Sequence, residues 1–165
     1  MNFADALLPE FDREMATTRT VLERIPDEKL TWKPHPKSWT TAQLAHHVAT
    51  LPSWAADTMR TDELDFTGFQ PPPPPTSRQE VLDLFEKNAA SARDALAAAD
   101  TDAFLQNWSL KGNGQTFFTM PRVAVLRTFV MNHLIHHRGQ LTVYLRMNDI
   151  PVPMVYGPTA DEGSM

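Results

Sequence analysis

The chain of 165 residues contains no cysteine. Disulfides, a thiolate nucleophile and cysteine-ligated metal are therefore excluded, and any metal must be held by His, Asp, Glu or similar donors. No apolar run approaches the roughly 18 residues of a membrane span. The opening Met1-Asn2-Phe3-Ala4-Asp5 lacks the positive start and long apolar stretch of a signal peptide, so the expected location is the cytoplasm. No block of Lys or Arg stands out and the formal net charge is −5. That balance speaks against a phosphate-tracking nucleic-acid surface and against a basic membrane anchor. Apolar residues make up 42% of the chain, enough to build a core and too many for a disordered segment. The length fits one domain, residues 1–165.

Four segments carry helical periodicity. In the first, Phe11, Met15, Thr18, Leu22 and Ile25 recur at spacings of four and three, with Pro9 expected in the first turn and Pro26 as the stop. The second opens on Thr40-Thr41-Ala42-Gln43, the form of a capping box, and is expected to run to about Met59. Five prolines, Pro71 to Pro75, follow. They favour an extended spacer, read as a crossover between helices or as a docking motif for a proline-binding partner.

Ser77-Arg78-Gln79-Glu80 has the form of a second capping box and starts the third helix, whose inward stripe is Val81, Leu82, Phe85, Ala89, Ala92 and Leu96. Residues 100–119 do not read as helix; Asn113-Gly114 between Trp108, Leu110, Phe117 and Phe118 suggests a short hairpin or a loop. Thr119 and Pro121 suit the start of the fourth helix, which ends near Met147 with Asn148 as left-handed terminator. The expected fold is an all-α four-helix bundle with a long Pro-rich crossover. The tail to Met165 reads as irregular.

Five of the six histidines, His46, His47, His133, His136 and His137, sit in two dense clusters inside predicted helices. A buried imidazole needs partners for both ring nitrogens, so such clustering calls for an explanation. His133 and His137 are spaced i, i+4 and share a face, which lets two imidazoles reach one ion. No Glu lies between them, so the H-E-x-x-H protease motif and its general base are absent. His47 falls on the apolar stripe with Leu44 and Leu51, and His46 lies about 100° around the helix. His136 could replace His137 on geometry alone. Gln140 could orient a ligand, and His136 could relay protons or be an exposed bystander. Trp39, Trp54, Phe129 and Tyr144 could line a pocket or simply fill the core. Tyr156 and Asp161 lie on a tail able to fold over a site mouth.

At these residues the sequence resembles the DinB-like (DinB/YfiT-like) superfamily of metal-dependent enzymes. The resemblance is carried by Trp32-Lys33-Pro34-His35-Pro36-Lys37-Ser38, by Leu44-Ala45-His46-His47-Val48-Ala49 and most strongly by His133-Leu134-Ile135-His136-His137-Arg138-Gly139-Gln140-Leu141. Tyr144-Leu145-Arg146 and Val155-Tyr156-Gly157-Pro158 extend it. It implies a four-helix bundle with one histidine from the second helix and two from the fourth, at the positions of His47, His133 and His137. It also implies a divalent ion, Zn or Ni, and a frequent homodimer; it does not give the substrate, which is expected to be a small molecule. Relatives that are thiol-dependent transferases, or an isomerase, use low-molecular-weight thiols. Three ligands leave an open position, as in catalytic sites. The expected chemistry is a metal-activated thiol or water acting on a small electrophile. The rival expectation is a non-catalytic metal-binding stress-response or dimeric interaction protein.

Overall fold

The computed structural model describes residues 3–163; Met1, Asn2 and the last two residues of the expected 1–165 unit lie outside the described part. Helix α1 spans Phe3–Leu22, α2 Thr41–Thr50, α3 Ser53–Arg60, α4 Arg78–Ala97, α5 Thr101–Leu105, α6 Arg122–Val125 and α7 His133–Met147. Strands β1 (Glu63–Asp65), β2 (Asn107–Gly112) and β3 (Gln115–Pro121) form one sheet in that order. A π-helical stretch, Leu126–Asn132, joins α6 to α7. Helix α4 packs on α1, α2 and α3, and α7 packs on α1 and α2. Their shared core includes Phe11 and Leu22 of α1, Leu44 and Val48 of α2, Phe85 and Leu96 of α4, and Leu134 and Leu141 of α7. No helix among the described residues is long and apolar enough to cross a membrane.

The fold is therefore mostly helical, but the expectation of an all-α chain is corrected by the sheet. Asn113 and Gly114 both adopt positive φ, 52° and 74°, the turn that matches the twist of two antiparallel strands. Around it Trp108 pairs with Met120 and Leu110 with Phe118. The third strand, β1, pairs parallel with β2, Glu63 opposite Ser109. Its three residues are too few to show alternation in the sequence. The hairpin extends through Thr119 and Pro121; Thr119 does not cap the last helical run as expected but hydrogen-bonds Ser109 across the strands at 2.7 Å, and Pro121 is the cap of α6 rather than part of a first turn.

Other departures have local causes. Pro9 lies inside α1 rather than in its first turn, because the helix begins at Phe3. The second predicted helix is interrupted at Leu51-Pro52 and resumes as α3. Pro52 has no N–H to give the preceding turn, yet its φ of −61° keeps the chain winding. The capping box at Thr40 is complete: the Gln43 N–H donates to Thr40 Oγ1 and the Thr40 N–H to Gln43 Oε1. At α4, Ser77 Oγ accepts from the Glu80 N–H, but Glu80 reaches back to Thr76, accepting from its N–H at 2.8 Å. Residues 101–105 are helical, with Asp100 as the cap, where no helix was expected. Asp149 (φ 57°), not Asn148 (φ −108°), is the left-handed residue after α7.

The most buried charge pair was absent from the sequence reading. Arg138 of α7 meets Glu14 of α1 at 2.7 Å, with side chains 1% and 7% exposed. Arg138 also donates to Thr18 Oγ1 at 3.2 Å and to the Tyr156 hydroxyl at 2.8 Å. That hydroxyl donates to Glu14 as well, 3.0 Å from each carboxylate oxygen. The tail is thus fastened to the bundle through Tyr156, and again through Asp161, which pairs with Arg146 and accepts from the Val152 N–H at 2.9 Å. Both residues hold the tail against α1 and α7, and neither lines the clefts beside the histidines.

Candidate metal centre

His47 comes from α2, one turn after Leu44 on the face that enters the core. His133 and His137 come from successive turns of α7, and α2 and α7 pack directly. The π-helical stretch ends at Asn132, immediately before His133. Such a wide turn shifts the helical register that follows it and often marks a functional site. Here it helps set which face of α7 meets α2.

The three rings converge through their Nε2 atoms. His133 Nε2 lies 3.3 Å from His47 Nε2 and 2.9 Å from His137 Nε2, and one nitrogen from each histidine falls within 4.8 Å of the others. All three are half-buried. His137 Nδ1 donates to Gln140 Oε1 at 2.7 Å, and Gln140 Nε2 faces His136 Nε2 at 3.1 Å. The amide orientation is consistent at both ends: its oxygen takes a proton from His137 and its NH₂ gives one to His136. The His137 proton is thus on Nδ1, which leaves its Nε2 lone pair facing His133 Nε2 at 2.9 Å.

At these distances neighbouring rings can share a proton, and all three nitrogens are close enough together to hold one metal ion. Burial, and then the neighbouring histidines, lower the His47 pKa to about 4. Burial also leads the downward shifts of His133 and His137. The three rings are accordingly neutral at neutral pH, the form that can bind a metal. Nitrogens bound tetrahedrally at about 2.0–2.1 Å would stand about 3.3 Å apart, matching the His47–His133 spacing of 3.3 Å and exceeding the 2.9 Å between His133 and His137. His46 and His136 lie outside the trio. His46 lines a neighbouring cleft, and exposed His136 holds Gln140 in place.

Trp39 stands over the cluster, with its ring 5.1 Å from His47 and 5.8 Å from His137. It separates two clefts. One of about 470 Å³ runs past His137 between Lys37, Ser38, Gln140 and Tyr144. The other, about 760 Å³, runs past His46 and His47 to Phe69 and Pro71–Pro74. Of the aromatics singled out in the sequence, Trp39 and Tyr144 line these clefts. Trp54 packs on Phe66 and Phe129 stacks on Phe118 at 4.5 Å, so those two are not lining residues. The proline run, readable as a plain crossover, proves to be a cleft wall. Nothing in a single sequence signals that role.

Comparison with known proteins agrees with this architecture. The family model for the DinB superfamily matches residues 10–141. The uncharacterized protein YrdA of Bacillus subtilis (strain 168) is 33% identical over 162 residues, covering 96% of this chain and 90% of its own. The crystal structure of a DinB-like protein from Bacillus cereus ATCC 10987 superposes with a TM-score of 0.72 at 29% identity, over 94% of this chain and 98% of its own. A second DinB-like protein, YjoA of Bacillus subtilis, shares the fold with a TM-score of 0.69 at 18% identity, over 91% and 96% of the two chains.

Proposed function

The chain belongs to the DinB superfamily, and on that premise we propose that it is a metal-dependent enzyme. In this reading His47, His133 and His137 hold one divalent ion, Zn or Ni, and the activated group is a low-molecular-weight thiol or water acting on a small electrophile. The observation that carries it is the convergence of three half-buried Nε2 atoms from two helices, His133 Nε2 lying 2.9 Å from His137 Nε2 and 3.3 Å from His47 Nε2. A divalent ion there would lower the pKa of a coordinated water or thiol towards neutrality. The protein's part is orientation. Gln140 fixes the His137 ring, and Trp39 covers one side of the cluster. The chain has no cysteine, so a thiol nucleophile would come from solution.

A second reading, a metal-holding protein without turnover, is favoured by one feature: no carboxylate lines either cleft to act as general base. A homodimer also belongs to the proposal, supported by exposed Val143 and Met147, one turn apart on α7. The test is consumption of small electrophiles with and without added thiols by the metal-loaded protein and its His47→Ala variant. Turnover lost in a variant that keeps its helical circular dichroism supports the enzyme. Stoichiometric metal with no turnover across thiols, esters and amides selects the second reading.

A further inference from the structure

The 760 Å³ cleft beside His47 has a composition that the metal centre alone does not account for. Its outer wall is Pro71–Pro74, a run that presents ring methylenes and no N–H donors. Phe69 stands beside them. It is 58% exposed yet held in place: its N–H donates to the Phe66 carbonyl at 2.9 Å, across a turn that places Gly68 at φ 73°. Its ring meets Phe66 edge-on at 5.4 Å, and Phe66 packs on Trp54 of α3. An exposed aromatic fixed from behind in this way is pre-organised for a ligand, which lowers the ordering cost of binding.

Three of the polar side chains along the cleft, which also include Ser53, His46 and His47, are engaged with backbone groups. Gln43 Oε1 accepts from the Thr40 N–H, Thr50 donates to the His46 carbonyl, and Asn88 donates to the Ala49 carbonyl. No Asp, Glu, Lys or Arg lines it. The smaller cleft, by contrast, carries Lys37. The volume falls within the range of small-molecule sites, which are largely apolar with few polar groups.

We infer that the cleft bounded by Phe69, Pro71–Pro74, Leu84 and Trp39 is the binding site for a neutral, flat, apolar group of a small-molecule substrate, delivered to His47. As a statement about substrate class it rests on the metal-centre reading, but its physical basis is the wall itself. Phe69 and the prolines are then specificity-determining residues: they select an uncharged aromatic moiety and reject ionised ones, because that wall offers no charge to replace lost hydration.

The experiment is calorimetric titration of the full-length protein, both metal-loaded and metal-free, with naphthalen-2-ylmethanol, 2-naphthoate and 2-naphthylmethylammonium. Phe69→Ala and a Pro72→Gly/Pro73→Gly double variant are titrated alongside, with circular dichroism to verify folding. In the metal-free protein the neutral compound is expected to bind at least tenfold more tightly than either ion, and Phe69→Ala is expected to weaken it fivefold or more; metal loading is expected to strengthen 2-naphthoate alone. Amide NMR shifts should map to Phe69, Leu84 and Asn88 and not to Val143. Equal affinity of the metal-free protein for neutral and charged probes, shifts confined to the Lys37 side, or indifference to both folded variants would overturn the inference. Selective binding by metal-free protein that never loads metal would leave the cleft standing while the enzyme reading fails.

Discussion

Replacing Glu14 by Gln tests the buried network that ties α1, α7 and the tail together. The substitution keeps the shape and removes the charge opposite Arg138, whose side chain is 1% exposed. An unpaired buried charge is strongly destabilising: breaking a buried pair from one side costs about 3–5 kcal/mol. For a chain of this length each kcal/mol moves the melting temperature by about 2–4 °C, so Glu14→Gln should melt roughly 6–20 °C below the parent. Arg138 retains Thr18 Oγ1, the Glu14 carbonyl and Tyr156 as partners, which points to the lower half of that range. Tyr156→Phe removes one hydroxyl from two charged partners and should cost about 1.5–3 kcal/mol. The two effects should be less than additive, since both act through Arg138. Removing both charges in Glu14→Leu/Arg138→Met should recover much of the loss, because no ion is then left buried. The assay is urea unfolding of metal-free protein, followed by both circular dichroism and tryptophan fluorescence to verify a single transition. A loss below about 1 kcal/mol for Glu14→Gln, the level of exposed ion pairs, would refute the reasoning.

Three further outcomes follow from the geometry. Gln140→Ala should weaken metal binding about 10–100-fold without unfolding the bundle, because it frees the His137 ring; competition with a chromophoric chelator measures this, and unchanged affinity would contradict the assigned role. Metal-free protein should lose stability as pH falls from about 6.5 towards 4. His47, His133 and His137 resist protonation in the folded state, while the unfolded chain takes up protons near the ordinary value, so the unfolded state binds more protons across that window. Urea midpoints at pH 7.5 and 5 check the sign, and a higher midpoint at pH 5 would contradict it. Gly114→Ala places a Cβ at φ 74° and should cost about 1–2 kcal/mol, with metal affinity unchanged.

Much of this arrangement was legible in the sequence because it rests on short-range rules. The i, i+4 pair His133 and His137 had to share a face, and His47 had to follow Leu44 into the core. The Thr40–Gln43 box and the Asn113-Gly114 turn are local chemistry that tertiary packing did not override. What escaped has a common cause in long-range pairing. Glu14 reads as one more polar residue in an amphipathic helix until Arg138, distant in the chain, is brought against it. Strand β1 is three residues long and exists through its ladder with β2. The role of Pro71–Pro74 depends on where α2 and α4 lie, which no local pattern encodes. The π-helical turn before His133 likewise leaves no mark in the periodicity. Of the two histidine pairs, spacing left His136 open beside His137; Gln140, bridging both rings, separates their roles.

The most direct test of the central claim is metal content by mass spectrometry of untagged protein beside the His47→Ala, His133→Ala and His137→Ala variants. The account predicts about one divalent ion per chain in the parent, and its loss in each variant while the helical fold persists. No bound metal in the parent after reloading with Zn, Ni, Mn and Fe would contradict it and leave a helical interaction protein as the better description.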